Sequence, residues 1–304
     1  MNRPYTVVAI QHGPGKDNKE ENMKIYLDLI DKAAKEKSPD LIVLGELFST
    51  KFFPSAQDPT FFERYAEPLS GPTSELLARK AREYGCAIIA GFFEKGRLEG
   101  EYYNSAMVLG SDGNIIQGVL PSGRTVECYR KVQIPLISQP VESYEKLYFK
   151  PGPGFPIFNL GKVKAGVMIC YDVYFCEGPR SMSLQGAELI AAPTSARFPL
   201  DERFIAMFRG IAAANQTFLV FANKAGKEER AAPSGREWDF FGRSCIINPV
   251  GDLLAEAPVG EPFKYVGTTV DLDKVRTTRL GLQIFRDRRP ETYGLVTDQT
   301  GLLV

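Results

Sequence analysis

Histidine is almost absent from this chain: among 304 residues, His12 stands alone. That leaves no room for a His-rich zinc site, and it argues against a Ser-His-Asp triad or a Cys-His dyad. If the chain is a hydrolase, its general base is expected to be a carboxylate. Excess charge is missing too. Lys plus Arg and Asp plus Glu number 37 each, so the formal net charge is zero, and no long run of one sign occurs. General affinity for nucleic acid or an anionic membrane needs concentrated positive charge, so neither partner is expected. No apolar stretch approaches the roughly 20 residues that a membrane-spanning helix requires. The segment from Tyr5 to Gln11 is too short for a secretory leader and reads as a strand. The five cysteines, Cys86, Cys128, Cys170, Cys176 and Cys245, are scattered, odd in number and without a CxxC pair. A disulfide framework is not expected, and a reducing cytoplasm fits the pattern.

What is present is an alternation of strand-like and helix-like runs. Strands are expected at Tyr5–Gln11, Leu41–Gly45, Cys86–Phe93, Ser105–Leu109 and Ile115–Leu120, with helices at Met23–Lys37 and Pro72–Tyr84. The second half repeats this grammar. Strands are expected at Lys164–Cys170, Ala187–Ala192 and Thr217–Ala222, helices at Pro179–Gln185 and Asp201–Asn215, and a hairpin from Arg243 to Ala255. Several strands are nearly continuous in apolar residues, the signature of burial on both faces. Two such halves can pack sheet to sheet as a four-layer α-β-β-α sandwich; a single doubly wound sheet is the alternative. No linker or low-complexity segment appears, so residues 1–304 read as one domain. The charged, irregular tail from about Arg276 reads as an arm.

Three residues stand at element boundaries. Cys170 ends the apolar run Ala165 to Cys170, Glu46 follows Leu41 to Gly45, and Lys131 follows Glu127 to Arg130. Alone, a cysteine is usually an inert small hydrophobe, Glu46 caps the next segment and Lys131 is a solvated charge. Together they are the parts of thiol acyl transfer without histidine. The thiol needs a base. A partly buried carboxylate can take its proton and later return it to a leaving amine. An ammonium, with a backbone N–H beside the nucleophile, can stabilise the oxyanion.

These residues and their neighbours resemble the nitrilase superfamily of carbon–nitrogen hydrolases. The matching motifs are Gly45-Glu46-Leu47, Tyr129-Arg130-Lys131-Val132 with Ile134-Pro135, and Ile169-Cys170-Tyr171-Asp172 with Glu177 and Arg180. The likeness extends through Gly186-Ala187-Glu188, Ala222-Asn223 and Phe285 to Tyr293, nearly the whole chain. It implies the α-β-β-α sandwich, a Glu46-Lys131-Cys170 triad and a second glutamate between the lysine and cysteine motifs. Glu145 matches that residue best, and Glu142 competes for the place. The resemblance also implies a homodimer or a multiple of it, formed through outer helices near the cysteine motif with the tail crossing between subunits. No cofactor or metal is expected.

The substrate reading rests on departures from subfamilies. Much of the chain resembles N-carbamoyl-D-amino-acid hydrolases, which carry arginines shortly after the cysteine to clamp a substrate carboxylate. Val173 and Tyr174 stand there instead. Arg197 is a candidate to supply the clamp from another loop, weighed against an ordinary surface position. Tyr171-Asp172 after the cysteine resembles amidases, where nitrilases proper have Trp-Glu. Phe53, Tyr171 and Tyr174 are candidate pocket residues, with Phe52 and Phe175 beside them. The expectation is an amidase acting on a small, uncharged, non-peptide amide. N-carbamoyl amine hydrolysis and nitrile hydrolysis are alternatives, and a silent metabolite-binding scaffold is the reading from a different class.

Overall fold

The structure, a computed structural model, describes residues 2–138, 142–231 and 236–298. The first half contributes β1 (Pro4–Gln11), α1 (Lys19–Lys37), β2 (Leu41–Val43), α2 (Thr60–Tyr65), α3 (Pro72–Tyr84), β3 (Ala87–Lys95) and β4 (Tyr102–Leu109). Three short strands follow, β5 (Gly118–Val119), β6 (Thr125–Val126) and β7 (Tyr129–Arg130), then a one-turn helix α4 (Glu145–Tyr148). The second half holds β8 (Ile157–Asn159), β9 (Lys164–Val167), α5 (Glu177–Leu184), β10 (Leu189–Pro193), α6 (Asp201–Asn215) and β11 (Phe218–Ala222). It continues with β12 (Ala225–Glu229), β13 (Glu237–Phe241), β14 (Cys245–Ile247), β15 (Leu253–Glu256), β16 (Lys264–Asp271), α7 (Asp273–Gly281) and α8 (Gly294–Thr297).

Two mixed sheets form the centre. Their orders are β16-β1-β2-β3-β4-β7 and β15-β14-β11-β10-β9-β8-β5-β6. The alternation of side chains along each strand explains the layering. Val7 and Ala9 of β1, Val43 of β2 and Ile89 of β3 join Val167, Leu189 and Val220 in a core between the sheets. Their neighbours Val8, Ile10, Ile42 and Ile88 face the other way, under Tyr26, Ile30 and Leu77 of α1 and α3. Across the molecule, Ile190, Leu219 and Phe221 pack under Phe204 and Phe208 of α6. Helix, sheet, sheet and helix are therefore stacked in four layers, with the central strands β2, β10 and β11 buried on both faces.

Local signals set the helix ends. The Asn18 side chain accepts the Glu21 N–H to cap α1, with Glu20 and Glu21 in the first turn and Lys35 and Lys37 in the last. This cap starts α1 four residues earlier than its apolar spacing predicts. Pro72 opens α3 and Gly85, at φ 61°, closes it.

The halves are interleaved. The C-terminal strand β16 runs antiparallel to β1 along its full length, Pro4 opposite Asp271 to Gln11 opposite Lys264. In exchange, β5 and β6 leave the first half and extend the second sheet beside β8. The stretch Ile115–Leu120 is thus not one strand of a hairpin with β4. Only Ile115 bridges back to Leu109, and Gly118 packs so close to Phe158 that a Cβ there would strike the ring. Arg276 lies inside α7, whose Val275 is buried and whose Arg279 donates to the Ala187 carbonyl at 2.7 Å. The irregular stretch begins only after Gly281, where α7 ends.

Candidate active site

The first sheet carries Glu46 past the carboxyl end of β2. The chain stays bonded to β3 as it leaves the strand, Leu44 N–H to the Ile89 carbonyl and Phe48 N–H to the Gly91 carbonyl. Two glycines permit this approach. A Cβ on Gly91 would meet the Glu46 Cα at 2.8 Å, and one on Gly45 would collide with the His12 ring. The strand itself stops at Val43, so Glu46 sits in the turn beyond it rather than at its last residue.

Lys131 follows β7, with its N–H bonded to the Asn104 carbonyl of β4 and its own carbonyl accepting from Gly152 N–H. Its Nζ is fully buried and donates to two carboxylates, Glu46 Oε1 at 2.8 Å and Glu145 Oε2 at 2.7 Å. Glu145 opens α4 and accepts the Ser143 hydroxyl at 3.2 Å. Asn104 Nδ2 adds donors to Glu46 Oε1 at 2.8 Å and to Glu145 Oε2 at 3.3 Å. Glu46 Oε2 is buried without a partner. The competitor Glu142 points elsewhere, into an ion pair with Arg230.

The second sheet supplies Cys170. β9 ends at Val167, and Cys170 opens a 3₁₀ turn, Cys170–Tyr174, with φ at +45°. A cysteine held in the left-handed region costs about 1–3 kcal/mol, so the surroundings must impose it. Asp172 does much of this. Its buried carboxylate accepts Ile169 N–H at 2.8 Å, the Tyr129 hydroxyl at 2.5 Å and Gln133 N–H at 3.0 Å. It therefore clamps the cysteine turn to both sides of Lys131.

Burial pushes the Cys170 thiol well above its ordinary pKa, reinforced by Glu46 and opposed by Lys131. At rest Cys170 is therefore a thiol rather than a thiolate. Burial alone would depress Lys131, but Glu145 and Glu46 outweigh it and hold the ammonium charged. Burial raises Glu145, with Lys131 working against it.

A cavity of about 200 Å³ opens over Cys170, walled by Tyr171, Tyr174, Phe52, Ser195 and Arg197. It is smaller than the roughly 300–1,000 Å³ of drug-sized sites, which suits a metabolite. One sequence expectation is corrected here, and the surface alternative for Arg197 falls. Phe53 is not a pocket residue: it is fully buried at the centre of an aromatic cluster, stacked on Phe93 at 4.9 Å and edge-on to Tyr148 at 5.2 Å. Its neighbour Phe52 faces the cleft instead. Arg197 is not on the surface, for it is only 5% exposed. Sequence reasoning missed Asn104, although a buried Asn inside an otherwise apolar strand is a usable signal. It also missed Ser195, whose hydroxyl donates to the Glu46 carbonyl at 3.0 Å, and the pair Lys224–Glu228. Among the described residues, no group of three His, Cys, Asp or Glu is placed to hold a metal ion.

The family model for carbon-nitrogen hydrolases matches residues 6–280. The chain belongs to the carbon–nitrogen hydrolase family. An N-carbamoylputrescine amidase from Solanum tuberosum is 35% identical, covering 99% of this chain and 97% of that protein. A nitrilase from Pyrococcus abyssi is 34% identical over 94% of this chain and 98% of its own length. The crystal structure of a carbon-nitrogen hydrolase from Helicobacter pylori superposes with a TM-score of 0.86, at 27% identity, over 98% of this chain and 99% of that one. As a carbon–nitrogen hydrolase, the chain acts on C–N bonds other than peptide bonds, and its two stacked sheets are the family's α-β-β-α sandwich.

Proposed function

We propose that this carbon–nitrogen hydrolase cleaves a small amide or ureido substrate through a thioester on Cys170, with Glu46 as the base. One observation carries the assignment. Glu46 has one oxygen tied to Lys131 and Asn104, while the other is buried and unpartnered. The tied oxygen fixes the carboxylate; the free one is available for a proton.

In this mechanism Glu46 Oε2 accepts the Cys170 proton as the sulfur attacks the carbonyl carbon. Lys131 and the backbone N–H of Tyr171 stabilise the oxyanion, and Glu145 keeps Lys131 aimed. Collapse of the tetrahedral intermediate breaks the C–N bond. Glu46 returns the proton to the nitrogen, which leaves as ammonia or an amine. Water then attacks the thioester, giving its proton to Glu46, and the carboxylic acid departs as the thiol re-forms. A ureido substrate follows the same steps, and the N-carbamoylputrescine amidase among the relatives favours that head group.

Cytoplasmic residence is consistent with five unpaired cysteines and with the absence, among the described residues, of a helix long and apolar enough to cross a membrane. The whole chain is taken as one unit that pairs with a second copy. A groove of about 830 Å³ between α5, α6 and the tail, edged by exposed Leu184, Tyr293 and Val296, is the surface for that contact. Light scattering showing only monomer at micromolar concentration would remove the dimer. For the chemistry, mass spectrometry of protein quenched during turnover of amides and ureides should find an acyl adduct on Cys170. Turnover without an adduct in Cys170-containing peptides, or undiminished turnover by Cys170→Ala, would refute it.

A further inference from the structure

Arg197 stands out among the charged groups that the reaction steps leave unused. It lies in the loop after β10, one turn of chain from Ser195, and walls the cavity over Cys170. Its guanidinium rests on the face of Trp238 at 3.8 Å and near Phe52 at 4.9 Å. Arg230 covers Trp238 too, at 4.2 Å, and its ion pair with Glu142 ties that layer down. Stacking of this kind fixes a guanidinium in a plane without using its N–H groups. Among the described residues, Arg197 accordingly makes only a 3.4 Å contact from Nη2 to the Glu142 carbonyl, and Nη1 is buried without a partner. Burial lowers its pKa to about 10, so it remains a cation at neutral pH.

A buried cation with an empty donor is costly unless a ligand completes it. Planar guanidinium is matched best by a carboxylate. The cavity carries a second arginine, Arg203, and among its described lining residues the one acid is Glu145, already bonded to Lys131. The sequence between Ser138 and Glu142 is Gln-Pro-Val, and between Ala231 and Arg236 it is Ala-Pro-Ser-Gly, so neither stretch adds an acid. Among the described lining residues, no carboxylate free of Lys131 faces a substrate ammonium.

We infer that Arg197 is a carboxylate-binding subsite, and that the substrate is a short amide or ureide with a carboxylate at its far end. This rests on the proposed amide chemistry but reverses the expectation of an uncharged substrate. That expectation assumed Arg197 lay on the surface. It also separates the chain from its carbamoylputrescine-cleaving relative, whose substrate ends in an amine.

Three ureides with one head and different tails test it: 3-ureidopropionate, N-propylurea and N-(3-aminopropyl)urea. The matching carboxamides are succinamate, butyramide and 4-aminobutyramide. The anionic member of each set should exceed the neutral one by at least tenfold in kcat/KM, with the cationic one lowest, since a site built for a polar group rejects analogues lacking it. Arg197→Met should collapse the anion-to-neutral ratio toward one, and Arg197→Lys should restore part of it. A neutral or cationic preference, or an anion preference that survives in Arg197→Met, overturns the subsite. A binding arm separates this failure from failure of the chemistry. Trp238 is the only tryptophan, so its fluorescence in Cys170→Ala reports occupancy of the guanidinium stacked on it. Anionic ligands should saturate the signal at concentrations at least tenfold lower than neutral ones, whether or not any compound is turned over. Equal saturation by both overturns the proposal even if Arg197→Met does not fold.

Discussion

Lys131 and Lys224 are both buried, at 0% and 1% exposure, and each donates to a glutamate at 2.7–2.8 Å. Around Lys224 every acceptor is used. Glu228 takes Lys224 and the Gly15 N–H on one oxygen and the Phe52 N–H on the other, while Lys224 also reaches the Thr50 carbonyl at 3.2 Å. That cluster ties the loop before α1 and the loop after Glu46 to β12. Around Lys131 two carboxylates compete for one ammonium, and Glu46 keeps an oxygen free. The electrostatics diverge accordingly. Burial wins at Lys224 and lowers it, whereas two carboxylates outweigh burial at Lys131 and raise it. The difference teaches that a buried ion pair becomes a candidate for chemistry when it holds a spare acceptor beside a nucleophile. A pair with none is a fastening.

The largest expected effect is at the nucleophile. Cys170→Ala should abolish ammonia release while leaving the circular dichroism spectrum unchanged. Cys128 supplies the matched control. It too sits beside a buried glutamate, Glu94 at 3.5 Å, but Glu94 is filled by Arg130 and Ser105. Cys128→Ala should keep turnover; equal loss from both variants would break the distinction between spare and filled acceptors.

Next come the lysines. Lys131→Met should lower kcat by about 10²–10³, the usual cost of an oxyanion donor. It should also destabilise the fold by about 3–5 kcal/mol, because it strands two buried carboxylates. Adding Glu145→Gln should recover stability measured in urea but not kcat. Lys224→Met should show the reverse balance, with a lower midpoint in urea and a kcat loss at least tenfold smaller than that of Lys131→Met.

The glutamates sharpen the same contrast. Glu46→Gln removes the base and should cost about 10²–10⁴ in kcat. Glu228→Gln should act mainly on KM and thermal midpoint, through the Phe52 loop. Similar kcat losses from the two would mean that the free oxygen on Glu46 is not the base.

The smallest effect concerns His12, which is fully buried beside Lys224. Burial first, and then the Lys224 charge, hold its pKa well below 6.5. An imidazole depressed in the folded state stabilises fully above the unfolded value, and that contribution is lost as pH falls toward the folded one. Stability in urea should therefore drop between about pH 6.5 and 5.5, by at most about 1.4 kcal/mol per pH unit from this group. His12→Gln should flatten that slope; an unchanged slope would assign it to other groups.

The amino-acid sequence by itself determined the doubly buried strands and marked the candidate trio, while the stacking of those strands as two sheets rather than one waited on the tertiary structure. Apolar runs mark doubly buried strands because side-chain alternation is a local property, and α3 carries its own end signals in Pro72 and Gly85. Glu46 and Cys170 were legible because each follows such a run, and Lys131 because its surrounding motif resembles the family's. Tertiary structure decided everything that depends on partners far along the chain. Lys131 meets Glu46 across 85 residues, and Arg197 is buried only because Trp238 of β13 and Phe52 close over it. The free oxygen of Glu46 has no local signature, since a hydrogen bond left unmade exists only once the fold has filled the others. The same holds for Phe52 and Phe53: adjacent, chemically identical, and sent by the turn between them to opposite sides of the cleft wall.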